Sequence, residues 1–440
     1  MTGVTYPPEF RRSLWSLRRR TNADPLAFLE RLAADPRDVV PFSLAGRRTF
    51  LLKHPDFVEV VLASHHHKFQ KADGLHRVER LLGDGLLTAE GENHRHRRRV
   101  VQPAFHRQRL DAYAETMVAH AARFRDRWQP HQVIDVSAEA SALTLAIIGE
   151  ALFGTDIAPL AAEIRYALKA ASAATDPLIS LLAPARHVLR HRERLAAVID
   201  GLIVQHRTSG DDRENLLSLL LEAREATDRI PGQVRDDALT ILLAGHDTTA
   251  TALVWTWMLL ANHPEADARM QRVVVDVLGD RLATAADVPA LACTGHVLAE
   301  SLRLYPPAWV LARRAIDDHE LGGVRIPAGS IVLISQYLLH RDARFFPTPL
   351  VFDPNRWAGD RQAHRPKMAY FPFGAGPRAC VGEGFAWMEG VLLLATVAQR
   401  WRLRFIDDNA PISAHPTITL RPAPGIGMVL EERADSGREL

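Results

Sequence analysis

Cysteine is almost missing from this sequence. Cys293 and Cys380 are the only two in 440 residues, which excludes a disulfide framework and a four-cysteine zinc site and suits a reducing cytoplasm. Net charge is nearly missing as well. Against 52 acidic residues stand 54 basic ones, leaving +2, so no global field draws the chain to nucleic acid or to an anionic membrane. Low-complexity linkers, internal repeats and composition breaks are also wanting, which predicts a single domain over residues 1–440. The basic start, MTGVTYPPEFRRSLWSLRRR, leads into no apolar segment, and this predicts neither a signal peptide nor a membrane anchor. The longest apolar tract, residues 239–261, carries His246 and Asp247 near its middle. Such groups are costly at mid-bilayer, so the tract reads as a buried core helix in a cytoplasmic protein.

What the chain does have is apolar bulk, 47% of its residues against 24% charged, enough for a large globular core. Residues 38–62 read as two strands turning at Ala45-Gly46, then a helix opened by Asp56, within a β-rich part spanning about 38–70. Helical periods rich in Ala and Leu fill about 75–310. Strand signals return in HELGGVRIPAGSIVLISQYLLH (319–340) and TITLRPAPGIGMVLEE (417–432). Between them, residues 353–379 are rich in Pro and Gly without a period, and a long structureless segment inside a compact domain usually serves function. The expected fold is mainly α, one large helical domain with small β-sheets.

Residues 371–387, FPFGAGPRACVGEGFAW, set Cys380 between glycines and just ahead of an apolar helical run from Phe385 to Val397. A thiolate becomes a good metal ligand where backbone N–H groups and a helix N-terminus stabilise its charge. Gly374, Gly376 and Gly382 allow unusual dihedrals and the close approach of a flat cofactor. One thiolate with no CxxC makes no zinc or iron–sulfur site, whereas a single axial thiolate on a haem iron needs nothing more. Arg378 would then meet a haem propionate. Three other readings stand beside this one. GAGPRA (374–379) fits a GxGxxA dinucleotide fingerprint, but a βαβ context is not evident around it. A cysteine nucleophile needs a histidine base that nothing in the sequence places beside it. A structural cysteine needs no chemistry.

FGAGPRACVG (373–382) resembles the haem-binding signature of the cytochrome P450 monooxygenases, matching its Phe373, its second glycine Gly376, Arg378, Cys380 and its final Gly382 at the family's spacing. The resemblance runs from about 40 to 430. It implies the P450 fold and haem b with Cys380 as axial ligand, lying in a haem-binding loop at 371–387. AGHDTT (244–249) looks like the family's oxygen-activation motif. Read from the residues, a mid-helix threonine either bonds back to a carbonyl one turn earlier, or Ala244 and Gly245 leave space beside a bound molecule while Asp247 and Thr248 handle protons. The resemblance implies the second.

ESLR (300–303) alone is an i,i+3 pair of the kind usually found on a surface. With FDPNRW some fifty residues on, it resembles the family's buried structural triad, here Glu300, Arg303 and Arg356. GENHRHRRRVVQPAF (91–105) offers His94 and Arg98 as propionate partners by resemblance, with Arg313 as another beside Arg314. Arg95, Arg97 and Arg99 are positive charge for an acidic electron donor. HHH (65–67) invites a metal, yet adjacent residues diverge and no carboxylate accompanies them. Cys293, in LACTGHVLAE, reads as core.

By the same resemblance the substrate pocket takes the loop 74–87, Leu243, Ala244, residues 308–311 with Ala308 and Val310, and Ile418 and Thr419. These are mostly apolar, so a hydrophobic substrate is expected: a terpenoid, a fatty acid or a polyketide. The activity implied is insertion of one oxygen atom from O2 into a C–H bond. Electrons come from a separate ferredoxin and ferredoxin reductase, since no such domain fits in the remaining length. A peroxide-driven or coupling member, a non-catalytic haem protein and a nucleotide-binding protein are the alternatives.

Overall fold

The computed structural model describes residues 24–44, 46–72, 79, 82–157, 160–162, 164, 185–209, 215–225, 232–362, 364–407, 412–423 and 426–433. The basic start of the chain, the turn residue Ala45 and residues 73–78, 80 and 81 of the expected pocket loop lie outside them. The described residues gather into two compact units. The first draws on Met1–Gly74, Leu302–Val351 and Gly359–Cys380, the second on Leu75–Ser301, Phe352–Ala358 and Val381–Leu440.

The first unit is built on a five-stranded sheet. Val39–Leu44 and Arg47–Leu52 pair antiparallel, and Gly46 takes the positive φ that a tight hairpin turn requires. Ile331–Ile334 runs parallel beside Arg47–Leu52, followed by Leu311–Ala315 and then Phe69–Lys71 at the edge. Val39, Phe50, Leu52, Val332 and Ile334 bury one core with Val58, Val61 and Leu62, and Met368, Phe371 and Ala375 of the glycine-rich stretch share it. The stretch that ends at Cys380 is therefore rooted in apolar packing. The helix Pro55–Glu59 is not opened by Asp56 as expected. His54 caps it, its Nδ1 accepting the Asp56 N–H at 3.3 Å, and Pro55 stands at the first helical position, where its fixed φ suits the helix.

The second unit is helical. Its longest helix, Gln233–Asn262, is buried over most of its length and packs on the helices Val136–Phe153 and Glu383–Ala398. Val136–Phe153 starts where the Asp135 carboxylate accepts the Ser137 and Ala138 N–H groups and stops at Gly154, in the left-handed region. Among the described residues it is the one helix long and apolar enough to cross a membrane, and most of it is buried. The 239–261 tract lies inside the long helix and is core. Small antiparallel pairings complete the unit: Gly427–Glu432 between Val133–Asp135 and Trp401–Phe405, and Ala414–Pro416 with Leu420–Pro422. Cys293 departs from expectation. It is half-buried rather than core, beside Arg269, and burial pushes its thiol up.

Candidate active site

Among the described residues between 353 and 379 the chain makes only short 3-10 turns, Pro354–Trp357, Gly359–Gln362, Lys367–Ala369 and Gly376–Arg378. In the first unit this path bends at Gly374 (φ 73°) and Gly376 (φ 67°) and closes where the Cys380 N–H donates to the Phe373 carbonyl at 2.8 Å. Cys380 is exposed and Phe373 and Arg378 are half-buried. Gly376 is indispensable for a reason other than a cofactor, because a Cβ there would strike the Leu62 carbonyl oxygen. The expectation of unusual dihedrals fails at Gly382. Its φ of −92° is open to any residue and it serves as the N-cap position of Glu383–Ala398.

The ESLR motif divides its work between the units. In the second, the fully buried Glu300 accepts from Arg356 Nε (3.0 Å), Trp357 Nε1 (3.0 Å) and the Asp353 N–H (2.9 Å), so one carboxylate fixes the FDPNRW turn. In the first, the fully buried Arg303 donates to the carbonyls of His340 (2.8 Å), Pro349 (2.6 Å) and Val351 (3.1 Å). His340, which no motif announced, accepts the Phe371 N–H on Nε2 at 3.0 Å. Complete burial, with Arg303 nearby, pushes its imidazole down to about 3 and keeps it neutral. Arg303 and His340 thus hold, through backbone groups, the irregular path toward Cys380.

In the second unit the AGHDTT stretch has two faces. Gly245 and His246 turn toward Val136–Phe153. A Cβ on Gly245 would lie 2.7 Å from Ile148 Cδ1, and the Thr144 hydroxyl donates to the His246 carbonyl at 3.1 Å. Gly245 therefore makes room for a neighbouring helix, not for a bound molecule as expected. Burial lowers the His246 imidazole against the pull of Asp247. Ala244, Asp247 and Thr248 lie on the more open face. The Thr248 hydroxyl donates to the Ala244 carbonyl at 2.8 Å, the local bond that the sequence allowed. Asp247 pairs with Arg421 and accepts from the Thr419 hydroxyl at 3.1 Å, which joins an expected proton carrier to an expected pocket residue 172 positions away. Glu389, on Glu383–Ala398, is fully buried, and burial pushes its carboxyl up to about 8, opposed by the Thr249 hydroxyl.

The helix Gly91–Val101 buries His94 and leaves Arg98 half-buried, while Arg95 and Arg99 are exposed. Arg97 is not available to a partner protein. It is buried and donates to Asp237 at 2.8 Å and to Asp84 at 3.3 Å, because the i,i+3 spacing puts it on the inward face with His94. Asp237, pushed up to about 6 by burial, also accepts the Leu86 N–H at 2.8 Å, and Asp236 accepts that of Asp84 at 3.0 Å. The described part of the 74–87 loop is tied down in this way. Arg313 and Arg314 are half-buried neighbours on Leu311–Ala315, on opposite faces of the sheet. Leu243 and Thr419 are buried, Ala308 and Val310 half-buried, and Ile418 exposed. His65 meets His319, with 3.4 Å between Nδ1 and Nε2.

The donor chemistry fits a cofactor with one protein ligand. Cys380 presents an exposed thiol, and among the described residues no group of three or more His, Cys, Asp or Glu side chains is placed to hold a metal. The glycine stretch leads into a 3-10 turn instead of linking a strand to a helix, which removes the dinucleotide reading.

The family model for cytochrome P450 matches residues 7–428, and the chain belongs to that family. It is a haem-thiolate monooxygenase that binds haem b and acts, with O2 and a redox partner, on a hydrophobic substrate. Its relatives include cyclooctatin synthase of Streptomyces melanosporofaciens, 40% identical over 93% of this chain and 92% of that protein. Cyclooctat-9-en-7-ol 5-monooxygenase of the same organism is 37% identical over 86% and 85%, and pentalenene oxygenase of Streptomyces avermitilis 32% over 90% and 89%. The crystal structure of the haem domain of cytochrome P450DA matches with a TM-score of 0.85 at 25% identity, covering 96% of this chain and 95% of that one.

Proposed function

We propose that this chain oxygenates a terpenoid of secondary metabolism, using electrons from a ferredoxin and its ferredoxin reductase. The observation that carries the reading is the exposed Cys380 thiol at the end of an anchored glycine loop, in a chain whose relatives are named for work on pentalenene and cyclooctat-9-en-7-ol. Both names describe alkene skeletons with at most one hydroxyl, and this favours the terpenoid over the fatty acid or polyketide. Cys380 would ligate the iron, and Arg378, His94, Arg98 and Arg313 would hold the propionates. Phe373 and Gly374 shape the loop around the thiol. The haem, when bound, supplies the oxidising chemistry; the protein supplies orientation, proton delivery and exclusion of water. Asp247 and Thr248 carry protons from the open face of the long helix. Ala244, Leu243, Ala308, Val310 and Ile418 give the substrate apolar contact, while the Thr419 hydroxyl is already engaged by Asp247. Exposed Arg95 and Arg99 are charges an acidic ferredoxin would meet. Two cysteines and a mostly buried apolar helix favour a soluble protein of the cytoplasm, and a family match spanning 7–428 favours reading the two units as parts of one P450 domain.

The test is an absorption spectrum of the reduced, carbon monoxide-treated protein beside Cys380→Ser. A strongly red-shifted Soret band that the substitution removes is expected, together with incorporation of one atom of labelled O2 into a polycyclic alkene supplied with ferredoxin and reductase. A spectrum indifferent to Cys380 would refute the ligand assignment. Unlabelled product, or product formed from peroxide alone at the same rate, would refute the monooxygenase route.

A further inference from the structure

We infer that Arg421 is a positioning residue for Asp247, closing with Thr419 a clasp that fixes the carboxylate of the AGHDTT motif; this rests on reading Asp247 and Thr248 as proton carriers. The three side chains form a ring. Arg421 Nη2 donates to Asp247 Oδ1, the Thr419 hydroxyl donates to Oδ2 at 3.1 Å, and Arg421 Nε donates to the same hydroxyl at 3.0 Å. Both carboxylate oxygens are thereby engaged by the short stretch 419–421, Arg421 on the strand Leu420–Pro422 and Thr419 just before it, and a charge-assisted bond is among the stronger a side chain can make.

The strand is itself referenced to the long helix. Trp255 Nε1, eight residues after Asp247, donates to the Leu420 carbonyl at 2.7 Å and sets where Leu420–Pro422 lies along the helix. Arg421 is held opposite Asp247 by this bond as well as by its own charge. Thr248 points its hydroxyl the other way, to the Ala244 carbonyl, so adjacent members of the motif are held apart. A proton at the Asp247 carboxylate reaches Thr248 only when a bond of the ring breaks. The Asp247 side chain is 13% exposed and that of Arg421 38%, so the ring stands between solvent and the motif. No other charged side chain is needed to explain it: His246 beside Asp247 is buried, bonded to the Leu242 carbonyl and kept neutral by burial. The signal was present in the sequence as the Arg of TITLRP, but its partner lies 174 positions earlier.

The experiment uses the holoprotein with a plant-type ferredoxin and its reductase, and no added substrate. Dioxygen then leaves either as hydrogen peroxide, taking two electrons and two protons, or as two waters, taking four of each. The peroxide fraction per electron consumed reports whether protons arrive. Arg421→Met is expected to raise that fraction several-fold, as Asp247→Asn should. Arg421→Lys, which keeps the charge, should restore most of the wild-type value, and Thr419→Val should act in the same direction more weakly. In the Asp247→Asn background Arg421→Met should change nothing further. Thermal unfolding gives a readout apart from turnover: each single substitution should lower the midpoint, and the double should lower it no more than the larger single. If Asp247→Asn raises the peroxide fraction while neither Arg421→Met nor Thr419→Val moves it, the clasp is refuted and the proton-carrier reading survives. If Asp247→Asn has no effect, both fall. Should Arg421→Met not fold, Arg421→Lys and Thr419→Val still decide the matter.

Discussion

The cysteine loop of the first unit and the AGHDTT stretch of the second are positioned by different physics. Around Cys380 the backbone is irregular, so its polar groups need partners that no helix or sheet supplies. Buried side chains provide them: Arg303 caps three carbonyls and His340 takes the Phe371 N–H. Around Asp247 the backbone is an unbroken helix whose own bonds satisfy it. Position there is set by shape, through Gly245 against Ile148, and by the side-chain ring of Asp247, Thr419 and Arg421. Both regions pack apolar side chains, but only the irregular chain needs side-chain anchors for its backbone groups, and this difference determines how each can be broken.

The largest effect should come from removing an anchor. Arg303→Met leaves the buried His340 carbonyl and the part-buried carbonyls of Pro349 and Val351 without their guanidinium, a loss of roughly 3–5 kcal/mol. Glu300→Gln removes the buried carboxylate charge that Arg356 Nε, Trp357 Nε1 and the Asp353 N–H meet, at a similar cost. Urea unfolding measures both, and the fraction of protein retaining a thiolate-type carbon monoxide spectrum should fall further in Arg303→Met. Equal spectral loss in the two would mean that the anchors do not act locally.

The next test sharpens the comparison by pH, because each region keeps a buried group neutral. His340 sits near 3 against an ordinary 6.5. Between those values the unfolded chain binds a proton that the folded chain refuses, so stability is full above pH 6.5 and falls below it by about 1.4 kcal/mol per pH unit. Glu389 sits near 8 against an ordinary 4.5. There the folded chain keeps a proton that the unfolded chain releases, so stability is greatest below pH 4.5 and falls with the same slope up to pH 8. From pH 5 to 6.5 the two slopes oppose and cancel, so the wild-type unfolding midpoint should be level there and fall from 6.5 to 8; His340→Gln should let the fall begin at the acid end, and Glu389→Gln should abolish the fall above 6.5 and expose a loss of stability below it. A His340→Gln profile still level below pH 6.5, or a Glu389→Gln profile still falling above it, would contradict this assignment.

The same contrast explains what the sequence disclosed. The anchors were legible, because Glu300, Arg303 and Arg356 are charged residues in a pattern, and the glycines around Cys380 advertise an irregular path. Helical bulk and the longer strands were legible from period. The packing was not. Nothing in the spacing said that Gly245 faces Ile148, that Arg97 turns inward to Asp237, or that Arg421 reaches Asp247, since each fact depends on a partner more than 90 positions away. His340 was hidden for the opposite reason: it binds one backbone N–H, and no residue pattern encodes that.

Within the cysteine loop the two glycines should also differ. Alanine at Gly374 pays only for the left-handed backbone, about 1–2 kcal/mol, since nothing lies within 4 Å of its Cβ. Alanine at Gly376 meets the Leu62 carbonyl oxygen in addition, and a backbone atom yields little. The thermal midpoint should therefore fall more for Gly376→Ala, and equal losses would mean that the Leu62 approach is not rigid.

The smallest effect tests the packing side. Gly245→Ala gains up to about 1 kcal/mol of helix propensity but drives a methyl to 2.7 Å from Ile148 Cδ1, and overpacking of this kind costs about 1–3 kcal/mol. The net expectation is a loss of about 1 kcal/mol. Ile148→Val deletes the obstructing Cδ1 and alone costs about 0.5–1.5 kcal/mol by leaving a small void. Combined, each change repairs the defect of the other: the new methyl fills the space that the lost one vacates, so the double variant should be more stable than either sum predicts. Additive losses in urea unfolding would mean that the helices separate instead of interlocking, and the regular region would then owe its position to the Asp247 ring and not to shape.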